Sequence, residues 1–168
     1  PSLALVVLAR DEERGLPMTV ASVRGLVAEI VVAVDSRTTD GTRAAAPGAL
    51  VFDLEFADFA QARNEALRRA RADWILMLDA DETLEGDPRP LLARPAIWEF
   101  PRRHWRDLQR TVPAEDDRFY PDRQARLFPN APGVFFERPV HELVRGFRRR
   151  FTDSVVIHHF KEAQIGRA

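Results

Sequence analysis

Two carboxylates, Asp79 and Asp81, directly follow a run of five apolar residues that extends from Trp74 to Leu78. A continuous apolar run without a polar face predicts a strand that is buried on both sides. In open α/β sheets, ligands bind just beyond the carboxyl ends of such strands. Two carboxylates separated by one residue supply the hard oxygen ligands of Mg²⁺ or Mn²⁺, and Mg²⁺ completes its shell with water and substrate phosphates. The pair therefore predicts a metal site for a phosphorylated ligand, although Asp residues also end strands and begin turns for purely structural reasons.

The segments before this pair alternate between two hydrophobic patterns. Continuous apolar runs predict strands at Leu3 to Ala9, Ile30 to Val34 and Leu50 to Phe52. Apolar residues at helical spacing predict helices between them, at residues 16–27 and 58–70, with a short helix at 43–46. Strands that alternate with helices predict an α/β fold with a mostly parallel, doubly wound sheet. The carboxyl ends of its strands would place Asp11, Asp35 and the Asp79/Asp81 pair along one rim.

Arg63 interrupts the apolar face of the helix predicted at residues 58–70. The other residues of this face are Phe56, Phe59, Leu67 and Ala70. A guanidinium rarely points toward a sheet without a partner. Arg63 therefore either pairs with a structural carboxylate or reaches the strand ends to bind a phosphate, and its spacing does not decide between the two.

The second half of the chain is less regular, because four prolines exclude a long helix from residues 85–101. Short strands are expected at residues 96–100, 124–128 and 133–136. Residues 102–106 mix arginines with a histidine and a tryptophan, which fits either a solvated loop or an acceptor-side surface. Residues 145–151 are basic around two phenylalanines, which fits either a hairpin edge protected by charge or a contact with an anionic, lipid-linked acceptor.

Composition excludes several classes of function. With 168 residues, the chain is long enough for one domain with a substantial core. The absence of cysteine excludes disulfides, thiolate zinc sites and cysteine nucleophiles. A net charge of −1 argues against nucleic acid as a partner. No apolar run approaches the length of a membrane span and no signal peptide is visible, so we expect a cytoplasmic protein.

Four segments together resemble the motifs of family 2 glycosyltransferases of the GT-A fold, the group that uses nucleotide-sugar donors. They are Val7 to Glu13, Val34 to Thr42, Ala62 to Ala66 and Leu78 to Glu82. Three later segments resemble the bacterial branch that includes lipopolysaccharide core glucosyltransferases: Arg126 to Phe128, Val140 to Glu142 and Val156 to His158. The resemblance implies a single GT-A domain over residues 1–168, with a nucleotide-sugar-binding half (1–82) and an acceptor and catalytic half (83–168) that contains a small antiparallel portion.

The resemblance also implies roles for individual residues. The donor-binding set is Ala9, Arg10, Asp11, Asp35, Arg63, Asp79, Ala80 and Asp81. Within this set, Asp35 would hold the base or ribose and Arg63 would face the diphosphate. Asp79 and Asp81 would bind the Mn²⁺ or Mg²⁺ that bridges the donor's phosphates, with Asp81 as the preferred direct ligand. His158 matches the family's late histidine and would close over the diphosphate or bind the metal.

Transfer with inversion, which the resemblance implies, needs a base that takes the proton of the acceptor hydroxyl. Glu142 is the preferred base, because Val140-His141-Glu142 occupies the place where relatives carry an acid pair before a helix. His141 is an alternative base, a further metal ligand or a structural histidine. The expected partners are a nucleotide sugar, with UDP preferred, and a cell-envelope glycan or lipid-linked acceptor. Peripheral contact at the inner face of the membrane is compatible with such an acceptor, and the oligomeric state is left open.

Three other classes of function compete with this interpretation. The segment Asp79 to Thr83 also matches the nucleophile motif of haloacid-dehalogenase-type phosphatases. That motif normally closes the first strand and needs a later basic residue, usually lysine, whereas the single lysine here is Lys161. A nucleotidyltransferase would open with a glycine-rich phosphate loop, which residues 10–15 do not form. A non-catalytic binder of nucleotide sugars is the third alternative.

Overall fold

The computed structural model describes residues 1–138 and 143–160 of the chain. Within them, the strands are Leu3–Ala9 (β1), Glu29–Asp35 (β2), Leu50–Leu54 (β3), Trp74–Asp79 (β4), Glu82–Glu85 (β5), Ile97–Phe100 (β6), Arg102–Trp105 (β7), Gln124–Pro129 (β8), Phe135–Glu137 (β9), Leu143–Arg145 (β10), Arg149–Phe151 (β11) and Val156–Phe160 (β12). The α-helices are Gly15–Ser22 (α1) and Phe59–Arg69 (α2). Short 3₁₀ helices lie at Gly41–Ala44, Arg89–Ala93 and Glu115–Phe119.

A seven-stranded sheet in the order β11-β6-β8-β4-β1-β2-β3 forms the centre of the fold. Strand β1 pairs in parallel with β2 and β4, and β2 pairs in parallel with β3. Strand β8 runs antiparallel to β4 and β6. A three-stranded sheet in the order β5-β12-β7 and the β9–β10 hairpin complete the described strands. The predicted α/β fold, with a mostly parallel sheet followed by an antiparallel portion, is confirmed.

Apolar clusters cover both faces of the central sheet, because successive residues of β1 enter different clusters. Leu5 and Val7 belong to the cluster that contains Leu16 of α1, whereas Ala4 and Val6 belong to the one that α2 covers. All seven residues of β1 are buried. This two-sided burial explains why the strand is continuously apolar, and it fixes the strand ends that carry the acidic residues.

The three-stranded sheet brings the end of the described chain next to Asp79 and Asp81, which we call the acidic pair. In β12, His159 lies opposite Glu82 of β5 and opposite His104 of β7. The backbone N–H of Phe160 donates to the carbonyl oxygen of Asp81 over 3.0 Å. The solvated-loop interpretation of residues 102–106 is wrong, because most of this segment is strand β7 and His104 is only 4% exposed.

Two helices differ from their predicted bounds. Helix α1 ends at Ser22, before the predicted residue 27, and the chain then turns at Gly25, whose φ of 82° lies in the left-handed region that favours glycine. The helix predicted at residues 43–46 is a 3₁₀ helix, Gly41–Ala44, whose first turn is capped by the side chain of Asp40. Helix α2 begins as predicted, with the Asp58 side chain accepting a hydrogen bond from the N–H of Gln61.

Candidate functional site

The carboxyl ends of β1, β2 and β4 meet at one edge of the central sheet. The parallel register pairs Leu8 with Asp79 and Ala9 with Val34. A cavity of about 470 Å³ opens at this edge. Six of the residues predicted to bind the donor line it: Arg10, Asp35, Arg63, Asp79, Ala80 and Asp81. We call this space the donor cavity.

The other two residues of the predicted donor set, Ala9 and Asp11, do not line the cavity. Ala9 is 1% exposed inside β1. Asp11 follows β1 with a φ of 51°, and its Oδ1 accepts a hydrogen bond of 2.8 Å from the N–H of Thr39 in the loop after β2. Asp11 therefore connects two loops at the rim, and its contact with a donor stays a prediction.

Asp35 is almost completely buried in the cavity wall, where Arg37 binds it through two side-chain hydrogen bonds. Nε of Arg37 donates to Oδ1 over 3.1 Å, and Nη2 donates to Oδ2 over 2.7 Å. These bonds hold the pKa of Asp35 below its usual value, although burial acts in the opposite direction. Phe56 and Phe59 line the same cavity, with ring centroids 6.4 Å apart. A carboxylate, a guanidinium and two aromatic rings together suit a planar polar ligand such as a nucleobase.

Asp79 lies between two arginines at the end of β4. Its Oδ1 accepts a hydrogen bond from Nη2 of Arg63 over 3.4 Å, and its Oδ2 lies 3.6 Å from Nη2 of Arg126. Burial raises the pKa of Asp79, but the positive charges of Arg126, Arg63 and Arg102 outweigh it and lower the pKa to about 2. The side chain is still 37% exposed, so Asp79 presents an ionised carboxylate to the cavity.

Arg63 extends from α2 to the same edge of the sheet. Its side chain is 13% exposed, and its Cζ atom lies 5.7 Å from the ring centroid of Phe136. The structure thus combines both interpretations of Arg63, since it reaches the strand ends and pairs there with Asp79. Its contact with a diphosphate stays a prediction.

The sequence assigns no role to Glu82. Its side chain is fully buried and supports the acidic pair through a hydrogen bond to the backbone of Asp79. Its Oε1 accepts a hydrogen bond of 2.9 Å from the backbone N–H of Asp79. Its Oε2 accepts hydrogen bonds from Arg126 over 3.0 Å and from Arg102 over 3.1 Å. A buried carboxylate needs such partners. They lie 20 and 44 positions later in the chain, which is why a local motif does not reveal them.

Asp81, the preferred metal ligand, is held by His159. Its Oδ2 atom lies 2.8 Å from Nε2 of His159. Burial is the largest single influence and lowers the pKa of His159, but the hydrogen bond to Asp81 and the negative charges of Asp81 and Glu82 together outweigh it, so the pKa is raised overall. Within residues 1–138 and 143–160, the hydrogen bond to the carboxylate of Asp81 is made to Oδ2 and none is made to Oδ1, so Oδ1 can bind a ligand.

His158, which was predicted to close over the diphosphate or bind the metal, points away from the acidic pair, because successive side chains of a strand face opposite sides. Its Nδ1 accepts a hydrogen bond of 2.9 Å from Nε1 of Trp105. Its Nε2 lies 2.7 Å from Glu85 and 2.8 Å from Arg110. The structure therefore does not bring His158 to the acidic pair, and we do not retain a metal role for it.

The chemistry of Asp79 and Asp81 fits a divalent cation that takes most of its ligands from water and substrate. Mg²⁺ is usually bound through one or two carboxylates plus substrate phosphates, not by a complete protein cage. Residues 1–138 and 143–160 contain no group of three or more His, Asp or Glu side chains that could hold a metal ion. Metal binding by Asp79 and Asp81 stays a prediction.

A second cavity of about 380 Å³ adjoins the first, because Arg63 and Asp79 line both. Five arginines line it: Arg63, Arg102, Arg123, Arg126 and Arg149. The carboxylates in its lining are those of Asp79 and Glu99. We call this space the arginine cavity. Each of the five arginines pairs with a carboxylate, that of Asp79, Glu82, Asp122, Asp153 or Glu99. A guanidinium carries five N–H donors, so paired arginines can still donate to an anionic ligand.

The predicted base lies outside the described residues, since Val140, His141 and Glu142 fall within residues 139–142. The strands on either side of this segment, β9 and β10, pair with Phe136 opposite Val144. Both of these residues line the arginine cavity. The catalytic roles of Glu142 and His141 stay predictions.

The chain matches a protein-family model and a curated relative. The family model described as Glycosyl transferase family 2 matches residues 4–100, which is more than half of the chain. A TPR repeat-containing protein of Synechococcus elongatus is 38% identical over 149 residues, which cover 84% of this chain and 35% of that protein. The chain thus spans about a third of the length of this curated relative.

Solved structures share the fold at low sequence identity. The crystal structure of S. aureus TarS 1–349 in complex with UDP has a TM-score of 0.63 and 13% identity, and the match covers 97% of this chain and 61% of that one. The corresponding complex with UDP-GlcNAc has a TM-score of 0.61 and 14% identity, with 96% and 59% covered. This likeness shows the fold, which is GT-A.

The family match includes all four motif segments and both carboxylates of the acidic pair. It leaves no reason to retain the phosphatase interpretation of Asp79 to Thr83. The chain therefore belongs to glycosyl transferase family 2.

Proposed function

We propose that this domain transfers a sugar from a UDP-sugar to an anionic acceptor, with inversion at the anomeric carbon. The observation that carries the proposal is the donor cavity, in which the Asp35–Arg37 pair, Arg63 and the acidic pair meet at three strand ends. Membership of the family supports the reaction class.

The base of the donor would bind where Asp35 and Arg37 meet. Uracil presents an N3–H donor between two carbonyl acceptors, and a carboxylate beside a guanidinium offers the complementary acceptor and donors. Adenine and cytosine present an acceptor nitrogen in place of that N–H and do not complement the pair. Phe59, which is 46% exposed, offers a ring face on which the base can stack. UDP and UDP-GlcNAc are the ligands in the two TarS complexes, in line with this choice.

The diphosphate would lie between Arg63 and the acidic pair. Asp79 and Asp81 would hold Mn²⁺ or Mg²⁺, with Oδ1 of Asp81 as a direct ligand. When bound, the cation offsets the charge that develops on the leaving nucleoside diphosphate. The guanidinium of Arg63 supplies hydrogen bonds to the same phosphates.

The acceptor would occupy the arginine cavity. Its hydroxyl must reach the anomeric carbon of a donor sugar near Asp79, which lines both cavities. We assign the base that takes the hydroxyl proton to Glu142, with His141 as the alternative. The guanidinium groups would bind a phosphate or carboxylate of the acceptor.

A cell-envelope glycan or a lipid-linked carrier satisfies this requirement for negative charge. The resemblance of the second half to lipopolysaccharide core glucosyltransferases supports such an acceptor. No helix in the described parts of the chain combines the length and apolar character of a membrane span. We place the reaction in the cytoplasm, with peripheral contact at the inner face of the membrane.

Arg37 provides a test of the donor assignment. In the presence of Mn²⁺, UDP is expected to bind at least about tenfold more tightly than ADP or CDP, because uracil complements the Asp35–Arg37 pair whereas adenine and cytosine do not. Arg37→Ala should weaken UDP about tenfold and leave ADP nearly unchanged. Calorimetric titration of UDP, GDP, dTDP, ADP and CDP into both proteins measures the two effects.

Arg43→Ala is the matched control, because Arg43 forms a comparable pair with Asp53 and does not line the donor cavity. Equal affinities for UDP and ADP would refute the base assignment. Failure of every nucleotide to bind, with or without Mn²⁺, would refute the proposed function itself.

A further inference from the structure

Residues 147–151, which we call the basic edge, combine three arginines with two exposed aromatic side chains. Phe147 is 36% exposed and Phe151 is 64% exposed. The last three residues form β11, which ends the seven-stranded sheet and, among the described strands, pairs with β6 alone. Charged side chains protect such an edge from pairing with other chains. Two exposed phenylalanines work against that protection, so protection alone does not explain the composition of the basic edge.

The positive charge of the basic edge is only partly neutralised. Nη1 of Arg149 lies 2.7 Å from Oε2 of Glu99. Arg148 and Arg150, in contrast, form no ion pair within residues 1–138 and 143–160. The next carboxylate along the chain, that of Asp153, pairs with Arg123 over 3.1 Å. The chain as a whole has a net charge of −1, so the basic edge is a local excess of positive charge.

A cavity of about 320 Å³ opens at the basic edge. The described residues that line it are Trp98, Arg148, Arg149, Arg150 and Phe151, and none of these five carries a carboxylate. Guanidinium groups bind phosphates through several N–H donors at once. Trp is enriched where proteins meet the polar surface of a bilayer. This lining therefore suits a ligand that presents a phosphate next to apolar groups, which describes the headgroup region of an anionic phospholipid.

The basic edge adjoins the arginine cavity. Arg149 lines both this cavity and the one at the basic edge. Arg123, which also lines the arginine cavity, has its Cζ atom 4.3 Å from the ring centroid of Phe151. An acceptor in the arginine cavity would therefore lie next to whatever covers the basic edge. For a lipid-linked acceptor, that partner must be the bilayer, because the lipid stays in the membrane while the hydroxyl reaches the donor.

We propose that the basic edge is a docking surface for bilayers of anionic phospholipid and that it holds the arginine cavity against the membrane. The purpose of this contact rests on the proposed function, in which a lipid-linked acceptor enters the arginine cavity. Arg148 and Arg150 bind lipid phosphates, and Phe147 and Phe151 enter the boundary between headgroups and acyl chains. Each arginine near an anionic bilayer strengthens binding roughly fivefold, and buried aromatic area adds to this.

The test measures co-sedimentation of the protein with lipid vesicles. The wild type should bind vesicles that contain phosphatidylglycerol far more tightly than vesicles of phosphatidylcholine alone, and high salt should weaken this binding. Arg148→Gln/Arg150→Gln should bind the anionic vesicles about 10- to 30-fold more weakly, because two cationic side chains are lost. Phe147→Ser/Phe151→Ser should weaken binding on the order of tenfold, because less apolar area enters the bilayer. Arg149 is left unchanged, since it lines the arginine cavity.

The matched control is a second exposed pair of the same composition. Phe119 is 59% exposed, and the Cζ atom of Arg118 lies 4.8 Å from its ring centroid. Three acidic residues precede this pair in the same short helix: Glu115, Asp116 and Asp117. Because their charge repels an anionic bilayer, Arg118→Gln/Phe119→Ser should leave vesicle binding unchanged.

The outcomes separate the docking surface from the proposed function. Titration of UDP with Mn²⁺ into the same proteins tests the function, and all the variants should bind UDP as the wild type does, because none of the altered residues lines the donor cavity. If the wild type binds UDP but does not distinguish anionic from neutral vesicles, only the docking surface is refuted. If it binds anionic vesicles but no UDP, only the proposed function is refuted.

Two further results would also overturn the docking surface. An equal loss of vesicle binding in the control variant would show that any exposed arginine and phenylalanine suffice. A lipid-free dimer in the wild type that Phe147→Ser/Phe151→Ser converts to monomers in sedimentation velocity would make the basic edge an interface between copies of this chain. Thermal melts check that each variant is folded, and the arginine variant decides alone if the phenylalanine variant is not.

Discussion

With Asp81 replaced by asparagine, UDP is expected to bind no more tightly in the presence of Mn²⁺ than in its absence. The amide removes one of the two negative charges that Asp79 and Asp81 offer to a cation. Its carbonyl oxygen can still accept the hydrogen bond from His159, so the local structure is kept. Sugar transfer should fall on the order of a hundred- to a thousandfold, because the leaving diphosphate loses electrostatic stabilisation.

Calorimetric titration of UDP with and without Mn²⁺ measures the metal-dependent part of the affinity directly. Asp87→Asn is the matched control, because Asp87 is 43% exposed, pairs with Arg89 and lines neither the donor cavity nor the arginine cavity. An Asp81→Asn protein that kept the full Mn²⁺-dependent gain would show that Asp81 does not hold the metal.

The donor side of the site could be predicted because its residues follow buried strands. The predicted strand Leu3 to Ala9 coincides with β1, and the predicted strand Trp74 to Leu78 differs from β4 only by Asp79. Parallel strands present their carboxyl ends at one edge, so position in the sequence is enough to bring Asp35 and Asp79 to a common cavity. Helical spacing identified the inward face of α2 only in part. Leu67 is buried and Arg63 is nearly so, but Phe59 is exposed, and the rest of the buried face consists of Ala60, Ala62 and Ala66.

The contacts that Glu82, His104 and His159 make around the acidic pair could not be predicted, because they form only when strands that are distant in the sequence pair with one another. Glu82, His104 and His159 meet only because β12 lies between β5 and β7. Strand β7 has the sequence Arg-Arg-His-Trp, whose polar composition favours a loop unless another strand covers it.

The same pairing decides between the two histidines of β12. Alternation along the strand predicts that only one of His158 and His159 faces the acidic pair. Alternation does not show which of the two histidines faces the pair. That choice is set by the strand register, which places His159 opposite Glu82. A resemblance of motifs selected His158, and the strand pairing selects its neighbour.

Glu82→Leu is expected to destabilise the fold by about 3 to 5 kcal/mol, because it leaves the buried guanidinium of Arg126 without its main partner. The Glu82 side chain is fully buried and accepts hydrogen bonds from Arg126, Arg102 and the backbone of Asp79. For a chain of this size, the loss should lower the midpoint of thermal unfolding by on the order of 10 °C. Thermal and urea unfolding followed by circular dichroism measure both quantities.

The double variant Glu82→Leu/Arg126→Met distinguishes two contributions to the loss of stability, the cost of an unpaired buried charge and the cost of lost packing and hydrogen bonds. Replacing both partners with apolar side chains removes the unpaired charge, so the double variant should recover much of the stability that the single variant loses. Glu115→Gln is the control, because Glu115 is 72% exposed in its pair with Arg118 and should change stability by less than about 1 kcal/mol. If Glu82→Leu is no less stable than this control, Glu82 does not support the acidic pair. If the double variant is no more stable than Glu82→Leu, the cost lies in the lost packing and hydrogen bonds and not in the stranded charge of Arg126.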